Sequence, residues 1–155
     1  MISLVQRVLE AKVHIENREF SAIKGGLLIF VCIEDSDTNK SIQKMSEKLL
    51  NFKMLDGSKG IASCSLKETE EEVLIVSQFT LSAITDKGNK PTFHKAAKPE
   101  KAKFLYDEFV NLFKKGHQFV KEGKFGASMN ISLINKGPVT FNFCLLYTSP
   151  SPRDS

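Results

Sequence analysis

The chain has 155 residues, 41% of them hydrophobic and 26% charged, and a net charge of +4. This suits one domain with a single core that folds without disulfides, and no apolar run approaches the ~20 residues of a bilayer span. The mild charge permits a nucleic-acid partner without demanding one. The opening "MISLVQRVLEAKV" lacks the basic and apolar blocks of a signal peptide, so a soluble cytoplasmic protein is expected.

"ISLVQRVLEAKVHI" alternates as a strand, with Ile2, Leu4, Gln6 and Val8 on one side. "HIENREFSAI" reads as a hairpin around Glu16, Asn17 and Arg18. Gly25 and Gly26 break the chain before "LLIFVCI", whose continuous apolar character predicts a buried strand. Asp37 and Thr38 are N-cap candidates for a helix with Ile42, Met45, Leu49 and Leu50 at helical spacing. "DGSKG" reads as a loop. Residues 73–76 predict a central strand that runs into Ser77, Gln78, Phe79 and Thr80, and a long polar loop follows. Pro99 fits the first turn of a second helix, with Ala102, Leu105, Tyr106, Phe109, Leu112 and Phe113 as its apolar stripe and Gly116 at its end. Lys98 is a weak cap for it. The final third is strand-rich, and "SLINKGPVTFNF" looks like two strands flanking Gly137 and Pro138. The sum is one α/β domain of seven or eight strands and two main helices, without the regular alternation of a doubly wound sheet.

The tail "CLLYTSPSPRDS" has no periodicity, and its Ser-Pro content suggests disorder. Residues 144–154 also match one reading frame of a common transposase-type sequencing adapter. The expected division is therefore a domain over residues 1–143 and a non-native, disordered tail over 144–155. Without the tail two cysteines remain. Cys32 reads as a small core residue, and Cys64 lies in a polar segment. Their spacing argues for a reducing compartment and against a metal site.

No phosphate-binding loop, dinucleotide fingerprint, H-E-x-x-H or paired cysteine ligand set is present. His14, His94 and His117 are placed by no motif, so each reads as a surface residue rather than a catalytic base. The lysines of residues 86–103 form either a solvated face or a phosphate track. Two polar stretches at strand ends remain. Ser77, Gln78, Phe79 and Thr80 form either an ordinary strand exit or a set of hydroxyl, amide and backbone N–H groups facing a cleft, suited to an oxyanion. Gly137 and Pro138 form either a plain trans turn or, with a cis bond, a rigid backbone clamp for a small ligand.

At these motifs the sequence resembles the D-aminoacyl-tRNA deacylases, over essentially all of residues 1–143. "MISLVQRV" resembles the family's start, "VSQFTLSA" its Ser-Gln-x-Thr motif, "GNKPTFHKAAKPEKAKFLYDEFV" its central loop and helix, and "KFGASMNISLINKGPVTF" its Gly-cis-Pro segment. The resemblance implies a mixed α/β fold with a barrel-like sheet and two main helices, forming a homodimer. It implies hydrolysis of the ester between a D-amino acid, or glycine, and tRNA. Gly137 and Pro138 would reach into the other subunit's site, bind the substrate's amino group and reject L-side chains by collision. Ser77, Gln78, Phe79 and Thr80 would form the catalytic strand end, with Phe79 and Thr80 offering backbone N–H groups to the scissile carbonyl. No base is evident to activate Thr80 as a nucleophile, so water assisted by the tRNA's terminal 2′-OH is the expected attacker. Arg7 would hold the Gly-Pro segment, and Phe125, Ala127 and Met129 would line an adenosine pocket. No cofactor, metal or membrane partner is implied; aminoacyl-tRNA and a second copy of the chain are.

The family usually has Asn-Asp-Gly-Pro where this chain has Asn135, Lys136, Gly137 and Pro138. Lys136 reverses a charge, but a filter built from backbone should keep working. Two competing readings are a nucleic-acid-binding module using residues 86–103, whose binding would be salt-sensitive, and a sister editing enzyme for a small L-amino acid. The first leaves the two motifs unexplained. The second would require a trans Gly-Pro and an altered Ser-Gln-x-Thr motif.

Overall fold

The structure is a computed structural model and describes residues 1–145. Eight strands and two helices follow in the order β1 (Ile2–Ile15), β2 (Arg18–Ile23), β3 (Gly26–Cys32), α1 (Asn39–Asn51), β4 (Leu55–Gly57), β5 (Gly60–Cys64), β6 (Glu72–Ser77), α2 (Pro99–Gly116), β7 (Val120–Glu122) and β8 (Asn130–Cys144). The main sheet runs β2-β1-β3-β6-β7, with β8 also paired to β1. Ser21 Oγ on β2 donates to the carbonyl of Glu122 at 2.9 Å, and Lys121 Nζ donates to that of Ala22 at 2.9 Å. These bonds draw the sheet's two edges together into a nearly closed barrel, which blunts its exposed edges.

The parallel pair β3–β6 is buried on both faces. Leu27, Ile29 and Val31 of β3, with Val73 and Ile75 of β6, pack beneath the two helices. Leu28, Leu74 and Val76 face inward to join Val8, Ala11, Val13 and Ile23. Two-sided burial explains why both strands read as unbroken apolar runs. The helices supply Ile42, Met45 and Leu49 of α1 and Tyr106, Phe109 and Phe113 of α2 to the same core. Thr38 caps α1, and its N–H donates to Ser41 Oγ at 2.9 Å. Pro99 opens α2, whose Lys98 cap makes no side-chain bond. Among the described residues no helix is long and apolar enough to cross a membrane.

Several expectations are corrected. On β1 the more deeply buried side carries Ser3, Val5 and Arg7 rather than Ile2, Leu4 and Gln6. The strand is flanked by β3 and β8 along its first half, so alternation alone does not single out the core face. The expected loop over residues 56–60 is the turn of a small hairpin, β4–β5. The first hairpin turns at Glu16 and Asn17, both with positive φ, while Arg18 already lies in β2. The two strands expected over residues 132–143 are one, β8, and it extends through Cys144. The N–H of Leu145 donates to the carbonyl of Met1 at 2.9 Å. The rest of the expected tail lies outside the described residues.

One buried polar knot ties the start of the chain to α1. The Met1 α-ammonium lies 2.8 Å from Asp37 Oδ1 and 3.4 Å from Glu34 Oε1. Asp37 also accepts from Ser41 Oγ at 2.8 Å and from the N–H of Glu34 at 2.7 Å. The segment it braces meets the long polar loop. The N–H of Asp35 donates to the carbonyl of Lys95, and the N–H of Ala97 to that of Ile33, at 2.9 and 3.0 Å.

Candidate active site

At the carboxyl ends of β3 and β6 the barrel opens into a cleft of about 590 Å³. Ser77, Gln78 and Phe79 form one side of it. Phe93, Ala96 and Ala97 of the long loop form another, and Phe125, Ala127 and Met129 close it opposite. The lining is mainly apolar, with few polar side chains, a composition suited to a small organic ligand. The structure thus brings the Ser-Gln-x-Thr strand end together with Phe125, Ala127 and Met129.

The strand end is shaped by a short 3₁₀ turn over Phe79–Ser82. The N–H of Gln78 still donates to the carbonyl of Val31 at 2.8 Å, which keeps the turn tied to β3. In such a turn the leading N–H groups point back along the axis and have no partner within it. Phe79 and Thr80 lead this turn, and neither N–H has a backbone acceptor among the described residues outside it. Phe79 itself is exposed, and its ring meets Phe93 edge to face at 5.1 Å.

Thr80 does not line the cleft. Its Oγ1 accepts a hydrogen bond from Gln78 Nε2. An amide nitrogen cannot take up a proton at neutral pH, so this contact orients the hydroxyl without activating it. Among the described residues no histidine lines the cleft. His94 sits in a separate polar hollow with Asp86, Lys87 and Thr92. His117, expected at the surface, is buried, with Nε2 2.6 Å from the carbonyl of Glu71. It fastens the end of α2 to the loop before β6. Among the described residues no cluster of His, Cys, Asp and Glu could hold a metal ion.

Gly137 and Pro138 are absent from this cleft. β1 and β8 pair Gln6 with Thr140 and Val8 with Asn135, so Arg7 alone faces the whole stretch 136–139, which bulges from the sheet. The Gly137–Pro138 bond is cis. Arg7 is buried at 5% exposure. Its Nε donates to the carbonyl of Lys136 at 3.2 Å, and its Nη1 pairs with Asp56 of the small hairpin. Ile131 of the same strand lines the cleft. At ~3.3 Å per residue, Gly137 stands ~20 Å farther along β8. The bulge is exposed, and Leu9 and Ile134 beside it are each about half exposed.

Three elements of the site escaped the sequence reading. Asp56 reads as part of a plain loop in the sequence, yet it is the ionic partner of Arg7. Phe93, Ala96 and Ala97 form a cleft wall, set by the bridge between Glu34 and Ala96 that no local pattern announces. Cys32 and Ser82 meet the carbonyl of Phe79. For Ser82 the signal was available, because a serine three residues after the start of a turn commonly bonds back to its first carbonyl.

The barrel, the strand-end cleft and the arginine-held Gly-Pro bulge agree with one class of enzyme. The profile of the D-Tyr-tRNA(Tyr) deacylase family matches residues 4–144, and the chain belongs to that family of hydrolases. The D-aminoacyl-tRNA deacylase of Francisella tularensis subsp. tularensis (strain WY96-3418) is 41% identical over 143 residues, which cover 92% of this chain and 99% of that protein. That of Dichelobacter nodosus is 43% identical over 141 residues, 91% of this chain and 97% of its own length. Among solved structures, the c-Myc DNA Unwinding Element Binding Protein superposes with a TM-score of 0.88 at 37% identity, covering 97% of this chain and 100% of that one.

Proposed function

We propose that the chain hydrolyses the ester of D-aminoacyl-tRNA, releasing the D-amino acid and free tRNA, and that it also accepts glycine carried by tRNA(Ala). What supports this reading is an apolar cleft bordered by a turn whose leading N–H groups have no partner within it, with no His, Asp, Glu or Lys in the lining among the described residues. The acyl carbonyl would accept from the N–H groups of Phe79 and Thr80, which stabilise the oxyanion as it forms. Water attacks the carbonyl carbon, the bond to the ribose 3′ oxygen breaks, and that oxygen leaves as a hydroxyl. The neighbouring 2′-OH of the terminal ribose relays the proton. The adenine lies against Phe125, Ala127 and Met129. Translation quality control in the cytoplasm is the setting in which such an activity is useful.

Chirality is read by a second copy of the chain. Its Gly137–Pro138 bulge enters the cleft, and the backbone carbonyls there accept from the substrate's ammonium. An L-side chain collides with this wall, a D-side chain points away, and glycine has nothing to exclude. A single copy cannot do this, because its own bulge stands ~20 Å from its own cleft along β8. The exposed Leu9 and Ile134 give the second copy an apolar surface to cover.

The deciding experiment compares release of D-tyrosine and L-tyrosine from charged tRNA by the purified chain, with its mass in solution measured alongside. Rapid release of the D-form alone, from a dimer, is expected. Release of neither by a folded dimer overturns the reading. Thr80→Ala is expected to keep kcat within about threefold of wild type, since its hydroxyl has no base beside it. A loss of about 100-fold or more would instead make that hydroxyl the nucleophile.

A further inference from the structure

We infer that Cys32 and Ser82 are positioning residues that hold the Phe79–Thr80 peptide plane in the orientation that presents the Thr80 N–H to the substrate. This rests on the deacylase reading above and names two side chains beyond the Ser-Gln-x-Thr and Gly-Pro positions. Ser82 Oγ donates to the carbonyl of Phe79 at 3.0 Å. Cys32 Sγ approaches the same oxygen at 3.5 Å, closer than its other acceptor, the carbonyl of Ile33, at 3.8 Å. Both side chains are buried, so water does not compete for that carbonyl from their side.

The geometry of the amide does the rest. In a trans peptide the C=O and the following N–H lie in one plane and point in opposite directions. Two donors from the end of β3 and the end of the turn fix the Phe79 oxygen, so the Thr80 N–H is fixed on the other side. Burial pushes the Cys32 thiol up, outweighing the opposing bond with Ser82. The sulfur therefore keeps its proton at neutral pH and remains a donor. A preset N–H needs no reorganisation when charge develops on the substrate, and that is where such donors gain their effect.

The test is Ser82→Ala, alone and combined with Cys32→Ala, in the full chain. Loss of one such hydrogen bond should lower kcat on D-Tyr-tRNA about tenfold, and loss of both further, with KM within about twofold. Ser82→Thr, which keeps the hydroxyl, should restore kcat. In ¹H–¹⁵N spectra the Thr80 amide should shift in Ser82→Ala. A purely structural role would lower thermal stability and leave kcat of the folded protein unchanged. Folded variants with wild-type kcat and an unmoved Thr80 amide overturn the inference. If the double variant fails to fold, Ser82→Ala decides alone, since it removes a single oxygen. A wild-type chain with no deacylation would bring down the function itself, whereas normal catalysis by the variants brings down only this inference.

Discussion

Gly137→Ala should abolish chirality-selective deacylation while leaving a folded protein. Gly137 has φ +118, a conformation that side chains rarely adopt, and an added Cβ would lie 2.5 Å from Arg7 Nη2. Arg7 cannot easily withdraw, because it is buried and fastened to the Lys136 carbonyl and to Asp56. The bulge must move instead. A displacement of ~1 Å in a positioning group can cost about 100-fold in rate, and a loss of that size on D-Tyr-tRNA is expected. The fold should lose only about 1–3 kcal/mol, the usual cost of a side chain in strained backbone. Single-turnover hydrolysis and a thermal melt on the same preparation separate the two effects. Full activity in Gly137→Ala would mean that this bulge does not touch the substrate.

Asp37→Ala should destabilise the fold strongly. Its carboxylate receives the buried Met1 ammonium, the Ser41 hydroxyl and the Glu34 N–H. Removing it leaves the buried cation with the Glu34 carboxylate at 3.4 Å and the carbonyl of Leu145 at 3.2 Å. Breaking one side of a buried pair typically costs 3–5 kcal/mol, and the remaining carboxylate places this case near ~3 kcal/mol. For a domain of this size the melting temperature should fall by ~6–12 °C. Asp37→Asn, which keeps the shape and an acceptor oxygen, should fall less. Equal melting temperatures for wild type and Asp37→Ala would show that the knot contributes nothing net. The same change should loosen the cleft wall at Ala96 and Ala97, since that wall hangs on residues 33–35.

The fold was legible where packing was two-sided or a helix carried its own punctuation. β3 and β6 announced themselves because both faces are apolar, and α2 runs from Pro99 to Gly116 as its cap residues imply. β8 reads as two strands in the sequence because Gly-Pro is the usual mark of a turn. Only the pairing with β1 shows that the chain continues in the same direction beyond it. The β4–β5 hairpin was hidden because its close approach depends on Gly57. A Cβ there would lie within 2.4 Å of Cys64 Sγ, a distant contact with no local signature. The site followed the same division. Its motifs could be read along the chain, and a family resemblance gave them roles. The burial of Arg7, its link to Asp56 and the wall from residues 93–97 are tertiary facts, carried by residues that are locally unremarkable.

β8 begins at a cleft wall and carries the Gly137–Pro138 bulge far along its length. In the proposed pair of copies, each such strand serves two substrates at once, its own at one end and its neighbour's at the other. A chain with a damaged bulge would therefore harm a site it does not own, and its own cleft would stay sound when paired with a healthy neighbour. Heredity of the defect then follows the partnership rather than the polypeptide. Two inactive alleles, one lesioned in the cleft and one in the bulge, would together rebuild one whole site in each mixed pair and leave both faults in the other.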